Sequence, residues 1–130
     1  MLKAFFCAAL MAVSVASVPT LADDGGPWIA AAFNKETLSG GFAEGVATRE
    51  DAIGVSMEAC GTANKDGGCE VMLIHEGGCI SDARNPDGSS LGLGHGATIE
   101  AARADAVKEC AASGKYADCA VHTSFCAGQN

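Results

Sequence analysis

The chain has 130 residues, with 16 Asp plus Glu against 8 Lys plus Arg, and a formal net charge of −8. One domain is the natural count at that length, because two would each hold a core too small to stand without staples. The acidic balance argues against nucleic acid as a partner, since phosphate binding needs a Lys/Arg-rich face. A hydrophobic share of 48% excludes a disordered chain.

Residues 1–22 read as a secretory signal peptide. Lys3 supplies a positive start, Ala4 to Val18 run apolar or small, and Thr20 and Ala22 are small residues placed for a cut before Asp23. Pro19 closes the run short of the roughly 20 apolar residues that a spanning helix needs. No stable membrane insertion is therefore expected after cleavage, and the protein should reach the periplasm or the medium. Cys7 follows Phe5 and Phe6 rather than small residues, so a lipoprotein signal is disfavoured and Cys7 leaves with the leader. Residues 23–27 read as a flexible mature N-terminus, and residues 28–130 as one domain.

Six cysteines remain, an even number in an exported chain, which points to disulfides. No C-x-x-C pair occurs, so a zinc framework is not indicated. Spacing alone does not choose among the possible pairings.

The sequence matches itself at a shift of 50 residues. Ala47-Thr48-x-Glu50 falls on Ala97-Thr98-x-Glu100, Cys60 on Cys110, Cys69 on Cys119 and Val71 on Val121. Two copies do not make a solenoid; they suggest a duplicated unit, about 28–78 and 79–127, that shares one core.

In the first copy, Trp28–Asn34 is the opening strand. Gly41, Ala43, Gly45 and Ala47 alternate along a second strand. Thr48 caps a helix with Glu50 in its first turn. Ala52, Ser56 and Cys60 form a small-residue stripe on that helix, Met57 flanks it, and Gly61 followed by Gly67-Gly68 ends it. Cys69–His75 is apolar enough for a buried central strand.

The second copy begins with the strand Cys79–Asn85 and the turn Asn85-Pro86-Asp87-Gly88. Gly92, Gly94 and Gly96 follow, then a helix capped by Thr98 with Ala102, Ala106 and Cys110 on one face. Val107 flanks the stripe and Gly114 is the stop. Cys119–Phe125 is the last strand. Parity in the glycine strands differs by one between copies, which calls for a bulge. The predicted fold is α+β: a duplicated strand–strand–helix–strand unit, mainly antiparallel, with two helices and three disulfides.

These features resemble the domain of unknown function family 4189, found in exported bacterial proteins. The matching residues are Trp28-Ile29-Ala30, Ala52 with Cys60, Cys69 with its strand, and Gly78-Cys79. Gly92 to Gly96, Ala102 with Cys110, Cys119 and Cys126 complete them. The resemblance runs from about Trp28 to Cys126 and implies fold, disulfides and export. It implies no activity and no catalytic residues. Family members often place aromatics between the strand glycines, where this chain has Leu93 and His95.

Equivalent cysteines in a repeat should bond equivalently, which predicts Cys60–Cys69 and Cys110–Cys119. Cys79 and Cys126 are then left for each other.

No catalytic or metal constellation stands out, and no cofactor is expected. His75, His95 and His122 are the candidates should the protein be an enzyme, with Glu76 as a neighbouring carboxylate. Neither H-E-x-x-H nor G-x-S-x-G is present. The Gly94-His95-Gly96 run leads into a helix N-terminus but lacks a phosphate-loop pattern, so close helix packing is the better reading. Asp82, Asn85 and Asp87 read as turn residues rather than a calcium loop.

The leading expectation is therefore a small exported binding module for a protein or cell-envelope partner. The acidic sets Glu50, Asp51, Glu58 and Glu100, Asp105, Glu109 suggest that this partner is basic. Trp28 and Phe33 mark an alternative apolar surface. The competing expectation is a small hydrolase-like enzyme with a dispersed site near the histidines.

Overall fold

Every residue from Trp28 to Phe33 is apolar, as expected for a strand covered on both faces. In the computed structural model, which describes residues 26–113 and 118–128, this segment is β1 (Trp28–Asn34). It is the middle strand of an antiparallel sheet, flanked by β2 (Gly40–Val46) and β3 (Cys69–Glu76). Helix α1 (Arg49–Ala63) connects those two. The second half repeats the order with β4 (Cys79–Arg84), β5 (Leu91–Gly96), α2 (Ile99–Ser113) and β6 (Ala120–Cys126). There β4 takes the middle of another three-stranded antiparallel sheet. The fold is α+β, a strand–strand–helix–strand unit made twice. The expected signal peptide and N-terminal segment, residues 1–25, lie outside the described residues, as does Gly114.

Strand alternation assigns the layers. Ile29, Ala31 and Phe33 face away from α1 and pack with Ile80 and Phe125 between the two sheets. Ala30, Ala43 and Val46 pack with Ala52 beneath α1, and Ala83 packs with Ala106 and Cys110 beneath α2. The order is helix, sheet, sheet, helix.

The helices begin at threonine caps, where Thr48 Oγ1 accepts from the Asp51 N–H at 3.1 Å and Thr98 Oγ1 from Ala101 N–H at 3.2 Å. Their buried stripes are Ala52, Ser56, Cys60 and Ala102, Ala106, Cys110. Ser56 satisfies its hydroxyl by donating to Ala52 O at 2.8 Å. Small stripes allow close approach. A Cβ on Gly92 or Gly94 would overlap the α2 backbone at Ala106 and Cys110.

Several local expectations change. Helix α1 runs through Gly61, which is exposed, and stops at Ala63. Buried Asn64 ends it, with its backbone N–H bonding Cys60 O and its side-chain amide donating to Ser39 O at 2.9 Å. A local polar side chain that competes for helix carbonyls is the stronger stop. Cys69–His75 is not a central strand; β3 is an edge strand. Nor is it buried: every residue of β3 is half-buried or exposed, with Leu73 turned to the inter-sheet core and Ile74 to the α1 cluster. Val55, not Met57, packs onto the Ala52 cluster. Phe33 is core, at 1% exposure, and offers no surface.

The parity change resolves to one residue. Trp28 pairs with Val46 and Ile29 with Glu44, so Gly45 is bulged out of β2, at φ 132°. β5 pairs with β4 without a break. Edge strands β3 and β6 each carry a bulge at matching places, leaving Met72 and His122 out of register.

Three disulfides hold these layers. Cys60–Cys69 and Cys110–Cys119 tie each helix to the following strand, both with Cα atoms 6.1 Å apart. Cys79–Cys126 joins the start of β4 to the end of β6. Loop entropy suggests about 2.7 kcal/mol for each short closure and about 4 kcal/mol for the long one, as non-additive upper values. Among the described residues no helix is long and apolar enough to cross a membrane.

Candidate functional site

The two sheets meet along two seams, β2 against β6 and β3 against β5. At the β2/β6 seam, Phe42 packs edge-to-face on Phe33 and on Phe125, with ring centroids 5.5 and 5.3 Å apart. At the β3/β5 seam the ring contact is made by histidines; by register His75 stands where the other half has Phe125, and His95 where it has Glu44. His75 sits beside Ile29 and His95 beside Ile80, and the two rings stack at 3.5 Å with an 11° tilt. Burial and the neighbouring His95 ring hold the His75 imidazole below its ordinary pKa of 6.5. His95 Nε2 is buried and meets no hydrogen-bond partner among the described residues. The His95 N–H donates to Asp105 Oδ2 at 3.1 Å, so Asp105 is turned toward β5 rather than outward with the other helix acids.

Further along this seam lies a groove of about 220 Å³, lined by Met72, Leu73, Leu91, Leu93, Glu109 and Ser113. Met72, re-aimed by its bulge, is 39% exposed. The floor is aliphatic because Leu73, Leu91 and Leu93 also pack against the inter-sheet core.

A second polar feature sits inside the inter-sheet layer. Asp82 is not a turn residue; it lies mid-way along β4 and is fully buried. Its Oδ2 faces Arg84 Nε and His122 Nδ1, each at 3.3 Å, while Oδ1 has no partner among the described residues. Arg84 also lies 5.8 Å from the Phe33 ring centroid. The β6 bulge lets His122 reach inward by Nδ1, where the Thr123 hydroxyl lies 3.1 Å away.

The sequence-predicted residues thus separate. His75 and His95 come together, His122 joins Asp82 instead, and Glu76 is exposed beside Trp28 at the end of β3. No group of three or more His, Cys, Asp or Glu side chains suited to a metal occurs among the described residues. Ser81 and Ser124 bond each other at 3.0 Å, and Arg103 from α2 reaches Ser124 at 3.0 Å. That places the serine pair on the α2 face of the sheet, away from the layer that holds Asp82. The Asp82–His122 pair can orient an imidazole, and the stacked pair can respond to protons.

Sequence reasoning missed buried Asp82 and its half-buried partner Arg84. A signal was present. Aligning β4 on β1 residue for residue puts Asp82 on Ala31 and Arg84 on Phe33, both core positions. A charge at a repeat's core position needs a buried partner.

No curated protein and no solved structure gave a match to this chain. The family model described as Domain of unknown function (DUF4189) matches residues 28–126, which span all eight elements and all three disulfides. The chain belongs to that family.

Proposed function

We propose that the protein is a small exported binding module, stapled by disulfides, that takes a protein or cell-envelope partner along the β3/β5 seam. The observation that carries this reading is the aliphatic groove with Met72 exposed at its edge. Glu109 at the groove and the acidic helix surfaces suit a basic partner approached by electrostatic steering. Export rests on the leader-like residues 1–22 and accords with three disulfides, which persist in oxidising compartments. The hydrolase-like alternative has one observation in its favour, the buried Asp82 beneath the exposed His122 ring.

The test compares wild type with Met72→Glu and His122→Ala. Protein recovered from the periplasm or medium should have an intact mass starting at Asp23. A basic partner retained by immobilised wild type should associate more slowly as salt rises, and should dissociate faster from Met72→Glu because the apolar groove contact is lost. Hydrolysis of ester, peptide or glycoside substrates that disappears in His122→Ala would replace this reading with the enzymatic one.

A further inference from the structure

We propose that the His75–His95 stack is an acid-released latch that closes the β3/β5 seam between the sheets at neutral pH and opens it on protonation. The two rings come from different sheets and lie face to face at 3.5 Å, spanning the seam beside the groove. Neutral imidazoles at that distance attract by stacking, whereas two imidazolium rings repel at close range in a poorly hydrated site.

Among the described residues no hydrogen-bond acceptor meets the buried His95 Nε2 to offset that repulsion. Ile29 and Ile80 are the rings' neighbours on β1 and β4, and Leu73 and Leu93 are the adjacent inter-sheet residues on β3 and β5. The turn between β3 and β4 places Gly78 against the His95 ring, without room for a Cβ. Asp105 of α2 is the carboxylate nearest His95 in these contacts, and it is engaged by the backbone N–H. Glu109 of α2 lies in the groove by Leu91 and Leu93, and Glu76 projects to the α1 side of its sheet beside Trp28.

The linkage sign follows from His75. Its folded pKa lies below the ordinary 6.5, so the unfolded chain binds more protons between the two values. The contribution to stability is complete above 6.5 and is lost as pH falls from there through the folded value. At the other seam β2 supplies an internal control, since Phe42, Phe33 and Phe125 carry no ionisable group, whereas β6 also holds His122 against Asp82.

The experiment is amide hydrogen exchange on the oxidised protein at about pH 7 and pH 5, corrected for intrinsic rates, with imidazole NMR titration alongside. Protection in β3 and β5 should fall on the order of tenfold relative to β2. In His75→Phe, which copies Phe125 at the equivalent place, that difference should vanish. An equal response in β2, or a response that survives in His75→Phe, would overturn the latch. Should the variant not fold, the wild-type titration decides. His75 titrating below 6.5 together with the loss of protection supports the latch, and two independent, ordinary titrations refute it.

Discussion

The two repeats share a backbone and differ in what they bury. In the first, Ala31, Phe33 and Met72 occupy the inter-sheet face; in the second, Asp82, Arg84 and His122 stand at the same places. The three differences are coupled. A carboxylate at the Ala31 position is tolerated because a guanidinium replaces the phenyl ring and an imidazole replaces the thioether beside it. Burying an ion is costly until its partners come with it. The two halves therefore share strand order, caps and the edge-strand bulges of β3 and β6, but not the β2 bulge, and the layer between the sheets differs in linked groups. The seams show the same thing in another form, aromatic on one side and titratable on the other.

The largest expected effect breaks the comparison at the helix–sheet contact. Ala43 and Gly94 are equivalent, yet the first carries a Cβ beneath α1 and the second has no room for one beneath α2. Gly94→Ala should cost about 3 kcal/mol or prevent folding, while Ala43→Gly should cost about 1 kcal/mol. Urea denaturation of the oxidised protein measures both. Similar small losses would mean that the two helices sit equally close.

A smaller effect sharpens the charge comparison. Arg84→Phe alone leaves Asp82 buried with only the exposed His122, and should destabilise by about 3 kcal/mol near pH 7. The triple variant Asp82→Ala, Arg84→Phe, His122→Met copies the first repeat and should fall within about 1 kcal/mol of wild type, or above it. A triple variant as weak as the single one would show that the changes are not coupled.

The smallest effect separates the two hairpins. The loop after β1 is organised by Asn34, whose Oδ1 accepts from Glu36 and Thr37 N–H groups. The loop after β4 adds Asp87, whose carboxyl is held below the ordinary 3.8 by the Ser89 hydroxyl and N–H. With the folded value depressed, the unfolded chain binds the proton first as pH falls below 3.8. That contribution is present above this pH and lost beneath it. Acid titration of stability should show a slightly shallower decline in Asp87→Asn, and an unchanged curve would make the loop's acid response nil.

Much of the framework was legible because it depends on local rules. Thr48 and Thr98 announce helix starts, since a side-chain oxygen before an apolar period satisfies free N–H groups. The stripes at Ala52 and Ala102 follow from helical spacing alone. Shared Ala-Thr-x-Glu motifs and matched cysteines made the duplication visible. The end of α1 was not legible, because the local bonds of Asn64 to Cys60 O are held in place by a further bond to Ser39, which is distant in sequence. The placing of β3 at an edge was hidden too, since half-buried Leu73 and Ile74 meet the opposing sheet and α1 on its two faces and give the apolar run of a central strand.

By itself the amino-acid sequence determined the element types, the twofold unit and the acidic character, all of which arise from neighbours along the chain. Only the tertiary structure decided that His75 meets His95 while His122 turns to Asp82. Those partners come from different strands whose facing depends on two bulges and on how one sheet lies upon the other. A one-residue bulge redirects a side chain between solvent and core, and nothing in the spacing of three isolated histidines encodes which way it turns.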